Sequence, residues 1–529
     1  MGTSLNGLNG RNAKALLAAA AVALSTGGGG AVQAVQAGQE SSAKAACARL
    51  SALTLPDVAI TSAAAAPAAG PVPSHCDVSG VLEGTIHFRV ALPAEQWNGK
   101  YFVAGGGGFN GTIPNLNQAL ARGYAVAGSD TGHQGQSSDA SWALDNEKAQ
   151  LDYAHRATHL VTVLGKTIAH AYYGREARRS YFVGCSNGGK MGLMEVLRYP
   201  DDFDGVVIGN FVTDRTRLMM AYTWNAQALA SAPIPPAKIA VLAKATLAAC
   251  DAKDGLEDGV VDRPDRCRFD LGTITCAGPD GPGCLTAGQA AAVRKIWSGP
   301  SRPDGTAIFP GFVPGHEEDY PAYITGEGVR HAYPASTWRL QDGFMRFFAF
   351  GADYDPVASF DFATSPAALA PLAADQDAGP PAMEAFKAHG GKLIMYHGWA
   401  DHSIPPTSTL EFYGQLQARF AAETEAFTRL YMAPGLHHCT SGPGPNVFGG
   451  ANQGYVPIAD ADHDVVMALD RWVETGEGPE AIVATKYVDD DPSRGVARTR
   501  PLCPYPAMAR YTGRGRVDDA ANFRCAMPQ

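Results

Sequence analysis

The sequence predicts an α/β protein, built on a mostly parallel sheet that a large insertion interrupts after a late strand. Three observations predict it. From about Leu82 to Asn210, short β-rich runs that end in glycine or turn residues alternate with helical segments. Beyond Asn210 that alternation gives way to a stretch rich in proline, glycine and cysteine. It resumes at 391–401 with "GKLIMYHGWAD". Strands that alternate with helices bury both faces of a parallel sheet.

In chain order, the first segment reads as an export signal. Arg11 and Lys14 supply a positive start, "ALLAAAAVALS" (15–25) is apolar but too short to anchor, and small-residue cleavage sites end at Ala34 or Ala37. Residues 1–37 are therefore expected to be removed, leaving a secreted or periplasmic protein. No later stretch approaches ~18 uninterrupted apolar residues, so no membrane anchor is expected. At 529 residues and 46% hydrophobic the chain can bury a large core. The net charge of −10 and the lack of a long Lys/Arg cluster exclude a nucleic-acid partner.

Residues 38–75 are Ala/Pro/Ser-rich and carry little pattern. Then come "GTIHFRVALP", "KYFVAGGGG", "GYAVAGSDTG", "SYFVGCSNGG" and "FDGVVIGN" as strands, with helices over 155–174 and after Ser186. After the insertion, "FTRLYMAPG" (427–435) reads as a strand and "DHDVVMALDRWVETG" (462–476) as a helix. This gives a discontinuous catalytic domain over 38–212 and 380–529, with a lid over 213–379. The ten cysteines form no Cys-x-x-Cys pair, so zinc is not indicated and five disulfides are expected in an oxidising compartment. Cys250 with Cys267, and Cys276 with Cys284, would close short loops; the sequence alone leaves the pairing open.

"YFVGCSNGGK" (181–190) places Ser186 in a Gly-x-Ser-x-Gly frame between a strand and a helix, the context of a nucleophile elbow. A serine hydroxyl needs a base to take its proton and a third group to orient that base. In the α/β-hydrolase order both lie downstream, past late strands. Asp401 follows such a strand, in a loop that Pro405 and Pro406 keep from being helical; His397 or His402 could instead be the polar group that matters. His437 and His438 lie in the loop after the next strand, and periodicity does not choose between them. The amide of Asn187 and the glycines of "FVAGGGGFNG", Gly106 and Gly107 above all, are candidates for the oxyanion hole. In the insertion, Asp251, Asp254 and Asp258 alternate with glycines between two cysteines, a hard-oxygen pattern that suits calcium but is not an EF-hand.

Together, Cys185-Ser186, Asp401 in "HGWAD" and His438-Cys439 resemble the tannase/feruloyl esterase family, whose hallmark is a Cys-Ser pair, an Asp and a His-Cys pair. "WNGKYFVAGGGGFNG", "GSDTGH", "YPDDFDGVV" and "CDAKDGLEDGVV" are similar to family segments, so the resemblance runs from about Cys47 to Cys525. It implies an α/β-hydrolase core with a large inserted lid domain, and a triad of Ser186, Asp401 and His438. It also implies bridges Cys185–Cys439, Cys47–Cys76, Cys250–Cys267, Cys276–Cys284 and Cys503–Cys525. A structural calcium ion in the lid would be held by Asp251, Asp254 and Asp258 side chains and the carbonyls of Leu256 and Val260. The implied activity is hydrolysis of small aromatic esters through an acyl-enzyme, feruloyl esters first, then mono(2-hydroxyethyl) terephthalate, then gallate esters. Arg339 or Arg346 in "WRLQDGFMRFFAF" could meet a substrate carboxylate. One departure stands out: family members often continue the strand after the nucleophile helix into Gly-Ala-Pro, whereas this chain reads "IGNFVTDRTRL". Since that segment leads into the lid, the change is expected to bear on substrate choice rather than on the triad. From a different class, a catalytically silent, calcium-stabilised binding protein would share this fold.

Overall fold

The computed structural model describes residues 42–327, 335–453 and 456–528. The export signal of 1–37 lies outside them. Thirteen strands are formed among these residues: β1 (Val58–Ala66), β2 (His75–Leu82), β3 (Ile86–Pro93), β4 (Lys100–Ala104), β5 (Ala125–Ser129), β6 (Arg179–Cys185), β7 (Gly205–Gly209), β8 (Lys392–Gly398), β9 (Thr428–Ala433), β10 (Ile482–Tyr487), β11 (Val496–Leu502), β12 (Met508–Tyr511) and β13 (Phe523–Ala526). Nine make one sheet in the order β1-β2-β3-β5-β4-β6-β7-β8-β9. Pairing is antiparallel from β1 through β3 to β5, and parallel from β5 to β9.

The helices that matter below are α1 (Ala157–Tyr173), α2 (Asn187–Arg198), α3 (Arg215–Ser231), α4 (Pro236–Cys250), α5 (Ala287–Ser298), α6 (Ser336–Phe344), α7 (Pro406–Phe420) and α8 (Val465–Thr475). Central strands read as continuous apolar runs because both of their faces are covered. Val206, Ile208, Leu393, Met395 and Leu430 join one core with residues of α1, α2 and α7. Their neighbours Val207, Ile394, Tyr396 and Tyr431 join a second core on the opposite face with α8. Such alternation is the period-two geometry of a strand. At the start of α8, Asp464 accepts from the amides of Val466 and Met467, satisfying two N–H groups that have no intrahelical acceptor.

Residues 42–75, within the N-terminal stretch that carries little pattern, are ordered. They form a helix over 42–50, which the Cys47–Cys76 bridge joins to β2, and the edge strand β1. Its sequence, "VAITSAAAA", has too few large side chains to show a strand period. The loop after β8 is non-helical as expected, but Pro406 opens α7, where its missing N–H costs nothing.

Between β7 and β8, none of the described residues joins the large sheet. A neck closes this insertion: the Ala378 amide donates to the Thr213 carbonyl at 2.8 Å, and Asp214 bridges Asp377. Its helices α3, α4 and α5 share a core that includes Ile239, Leu242, Val293 and Tyr320. A different cluster joins the insertion to the sheet domain, with Met219, Phe344 and Phe348 packed against Phe109, Tyr153 and Ile404.

Leu469 on α8 is fully buried and lies where a side chain on Gly205 would collide with it. Leu469→Ala is expected to lower unfolding free energy by about 2–5 kcal/mol, read from urea denaturation.

Candidate active site

The turn from β6 into α2 holds Ser186 at φ 61° and ψ −125°, a strained conformation for a residue with a side chain. Crowding explains the flanking glycines: a Cβ on Gly184 would lie 2.2 Å from the Gly188 carbonyl oxygen, and one on Gly188 2.9 Å from the Gly105 carbonyl carbon. Ser186 stays half-buried, and its amide donates to the Gly209 carbonyl at the end of β7. Asn187 opens α2, so its amide has no intrahelical acceptor.

Asp401 is buried in the loop after β8. Its Oδ1 accepts from the amides of Ser403 at 2.7 Å and Ile404 at 3.0 Å. Its Oδ2 accepts from His438 Nδ1 at 2.9 Å and Asn210 Nδ2 at 2.6 Å, with His397 Nε2 at 3.2 Å. Burial alone would raise this carboxyl's pKa. The charge and hydrogen bonds of His438 and His397 overcome that and hold it far below the usual carboxylate range.

The structure thus puts His438, not His437, on Asp401. His437 faces the insertion instead, with Nε2 3.6 Å from Glu318 and Nδ1 3.7 Å from Asp319. His397 has a structural role: Nε2 meets the Ile404 carbonyl, which only accepts, so that nitrogen carries hydrogen, and Nδ1 meets the Thr409 hydroxyl. His402 is buried with neither ring nitrogen hydrogen-bonded, and burial pushes its pKa down to about 3. A disulfide between Cys185 and Cys439, with Cα atoms 6.0 Å apart, joins the turn of Ser186 to the loop of His438. No hydrogen bond links Ser186 Oγ to His438 in this structure; such contacts often tighten only when substrate binds.

Beside Ser186, the glycine loop 105–108 packs against α2. A Cβ on Gly106 would lie 1.7 Å from Asn110 Oδ1, whereas one on Gly107 would meet nothing within 4 Å. Neither amide donates to a protein group. The Asn187 side chain is clamped by the Tyr153 hydroxyl at 3.0 Å and by the buried Arg215 guanidinium. Aromatic rings continue from Tyr153 to Trp142, Phe109 and Phe348, and Tyr323 stands edge-on to His438 at 5.6 Å.

The sequence pattern described as "Tannase and feruloyl esterase" matches residues 71–526. The chain belongs to the tannase and feruloyl esterase family. It is 37% identical to an uncharacterized esterase of Xanthomonas campestris pv. campestris, over 91% of each chain. It is 30% identical to a mono(2-hydroxyethyl) terephthalate hydrolase of Piscinibacter sakaiensis, covering 88% of this chain and 87% of that one. Feruloyl esterase B from Aspergillus oryzae superposes with a TM-score of 0.81 at 25% identity, covering 92% of this chain and all of that one. As a member of this family the protein is a carboxylic ester hydrolase with an α/β-hydrolase-type core.

The five bridges pair as the family resemblance implies: Cys47–Cys76, Cys185–Cys439, Cys250–Cys267, Cys276–Cys284 and Cys503–Cys525. One expectation is corrected. The departure at "IGNFVTD" does touch the Asp401–His438 pair, because Asn210 donates directly to Asp401. Nothing in the sequence marks that contact, since it joins residues 191 positions apart. Tyr153 and Arg215 were equally silent: their partner is a side chain on a helix to which only the fold brings them. Of the two lid arginines, Arg339 is exposed and Arg346 is tied to Asp342 and to the Ala352 carbonyl.

The acidic loop 251–262 offers hard oxygen donors. Asp251 accepts from the amides of Asp258 and Gly259, and Asp254 from those of Leu256 and Asp262. Asp262, an acid that the sequence reading passed over, is buried; burial and the neighbouring charge of Asp254 both raise its pKa. Arg498 and Arg500 reach Asp258 from β11. Buried acids that repel one another, in a loop closed by Cys250–Cys267, suit a cation such as calcium. Among the described residues, the tightest set of His, Cys, Asp or Glu lies elsewhere, at His159, Glu195 and Asp202. There the 2.6 Å contact of His159 Nδ1 with Asp202 is a hydrogen bond, too short for a metal to lie between the two atoms.

Cys185 and Cys439 are 254 residues apart in sequence, and closing so long a loop removes about 5 kcal/mol of unfolded-state entropy in the chain-entropy picture. Replacing both cysteines by alanine is expected to lower Tm and kcat together, checked by thermal melts and steady-state kinetics of the double variant.

Proposed function

We propose that the protein is an exported serine hydrolase of small aromatic esters, with Ser186 as nucleophile, His438 as base and Asp401 as the group that orients the base. The observation that carries this reading is the buried Asp401–His438 pair, tethered to the serine's turn by the Cys185–Cys439 bridge. His438 Nε2 takes the proton of the Ser186 hydroxyl as its oxygen attacks the ester carbonyl. The Nδ1 hydrogen bond to Asp401 fixes the tautomer this needs and stabilises the imidazolium. Free amides of Asn187 and of Gly106 or Gly107 receive the oxyanion. When the intermediate collapses, His438 returns the proton to the leaving alcohol and the acyl group remains on Ser186. Water then repeats the sequence, with His438 as base, and releases the acid.

For the acyl group, the cluster of rings Tyr153, Trp142, Phe109 and Phe348, which leads away from the Asn187 side chain, supports a flat aromatic acid. Feruloyl-type esters rank first. Arg346 is already engaged with Asp342, so no observation here favours a terephthalate carboxylate over them. Five disulfides fit an oxidising compartment, and among the described residues no helix is long and apolar enough to cross a membrane. Calcium is proposed to be held by Asp251, Asp254 and Asp258 with the carbonyls of Leu256 and Val260. It would neutralise the acids of that loop.

Ser186→Ala is expected to cut kcat/KM on methyl ferulate by about 10⁴-fold or more, with folding intact by circular dichroism. Wild-type kcat/KM should rank methyl ferulate above mono(2-hydroxyethyl) terephthalate and methyl gallate. A reversed order overturns the acyl assignment, and equal background turnover in wild type and variant overturns the triad. Chelation with EGTA is expected to lower Tm and added calcium to restore it, whereas Asp254→Asn should weaken both effects.

A further inference from the structure

We infer that Asn210 is a positioning residue for the catalytic acid: its side-chain amide shares Asp401 Oδ2 with His438 and thereby sets how that carboxylate holds the imidazole. The inference rests on the triad reading above. Asn210 is the first residue after β7 and is fully buried. Its backbone amide donates to the Tyr396 carbonyl at 2.9 Å. Its Nδ2 donates to Asp401 Oδ2 at 2.6 Å and to the His437 carbonyl at 3.3 Å. Both partners only accept, so chemistry forces the amide nitrogen, rather than the oxygen, to face them. The Oδ1 atom is left buried without a hydrogen-bond partner. An amide that gives up one bond in order to donate on its other side is a feature to be explained by function.

The contact acts in two ways. It draws charge from the oxygen that also binds His438 Nδ1 at 2.9 Å, so Asp401 stabilises the imidazolium less strongly than it would alone. It also pins the carbonyl of the residue before His438, which fixes the direction from which the ring approaches. The other groups facing His438 are Asp401 and, behind it, His397 from β8, with Asp319 and the Tyr323 ring from the insertion. Of these, only Asp401 is in hydrogen-bond contact with the Asn210 side chain. Asn210 adopts φ 42°, which glycine tolerates without strain, so Asn210→Gly deletes the amide and spares the turn.

The test uses the full mature chain with p-nitrophenyl acetate, wild type beside Asn210→Gly, Asn210→Ala and Ser186→Ala. Both Asn210 variants are expected to lose about 10-fold or more in kcat with KM within about 2-fold. The acid limb of their kcat/KM profile should move to higher pH by about 0.5–1 unit, because the freed carboxylate holds the imidazolium more tightly. If both variants keep the wild-type acid limb, whatever happens to Tm, Asn210 is only a turn former and the inference is overturned. Failure of both variants to fold overturns it likewise, since a glycine at this φ should spare the turn. If wild type shows no more turnover than Ser186→Ala, the triad reading fails instead.

Discussion

A carboxylate taken wholly out of water must be met by hydrogen-bond donors or lose its charge. Asp401 is met by five N–H groups, which arrive from the end of β7, from β8, from the turn at 403–404 and from the loop after β9. Those segments are the C-terminal ends of adjacent parallel strands, so the sheet order places them within reach of one point. The charge stays on Asp401 because the fold is assembled, and the loops are ordered because the charge needs them. As the acidity of Asp401 is strengthened in the folded state, its stabilising share is complete above the unfolded carboxylate range near pH 4. That share shrinks as pH falls below it.

Ser186 has no comparable claim on its neighbours. Ser186 sits in a strained turn that its glycines permit but do not hold against the loop of His438. Two links do the holding. One is the Cys185–Cys439 bridge, and the other runs through β7, whose Gly209 carbonyl accepts the Ser186 amide while the next residue reaches Asp401. Ser186, Asp401 and the loop of His438 are thus tied through the same pair of residues, Gly209 and Asn210, just before the insertion. This explains why a segment that reads as the entrance to a lid carries a contact to Asp401.

The core was legible because its strands are buried on both faces and its helices carry clear caps and turns, as at "SYFVGCSNGG" and "DHDVVMALDRWVETG". The residues of the proposed triad stood out for a different reason: each follows a strand, and two are marked by adjoining cysteines. Strand β1 was not legible, since alanine shows no period-two contrast. Asn210, Tyr153 and Arg215 were not, since a hydrogen bond between distant side chains leaves no local pattern. Asp262 lay in plain sight among other acids, and only its burial separates it from a solvated turn.

The insertion is not a flap attached at one point. It is closed at its neck by Thr213 and Ala378, and Phe344 and Phe348 pack against rings of the sheet domain. The acidic loop is gripped by arginines of the C-terminal hairpins, Arg498 and Arg500 on Asp258 and Arg510 on the Asp254 carbonyl. A cation in that loop would add to a junction that protein charges already hold partly together, so its effect should fall on stability before chemistry. On the other side of the insertion, Glu318 and Asp319 face His437, and Tyr323 faces His438. Residues 318–323 of the insertion thus meet His437 and His438, while Phe344 and Phe348 pack toward Tyr153, whose hydroxyl holds the Asn187 side chain. Substitutions that change which acid is released are therefore expected in these segments, because they touch either the His438 ring or the rings that lead to the Asn187 side chain.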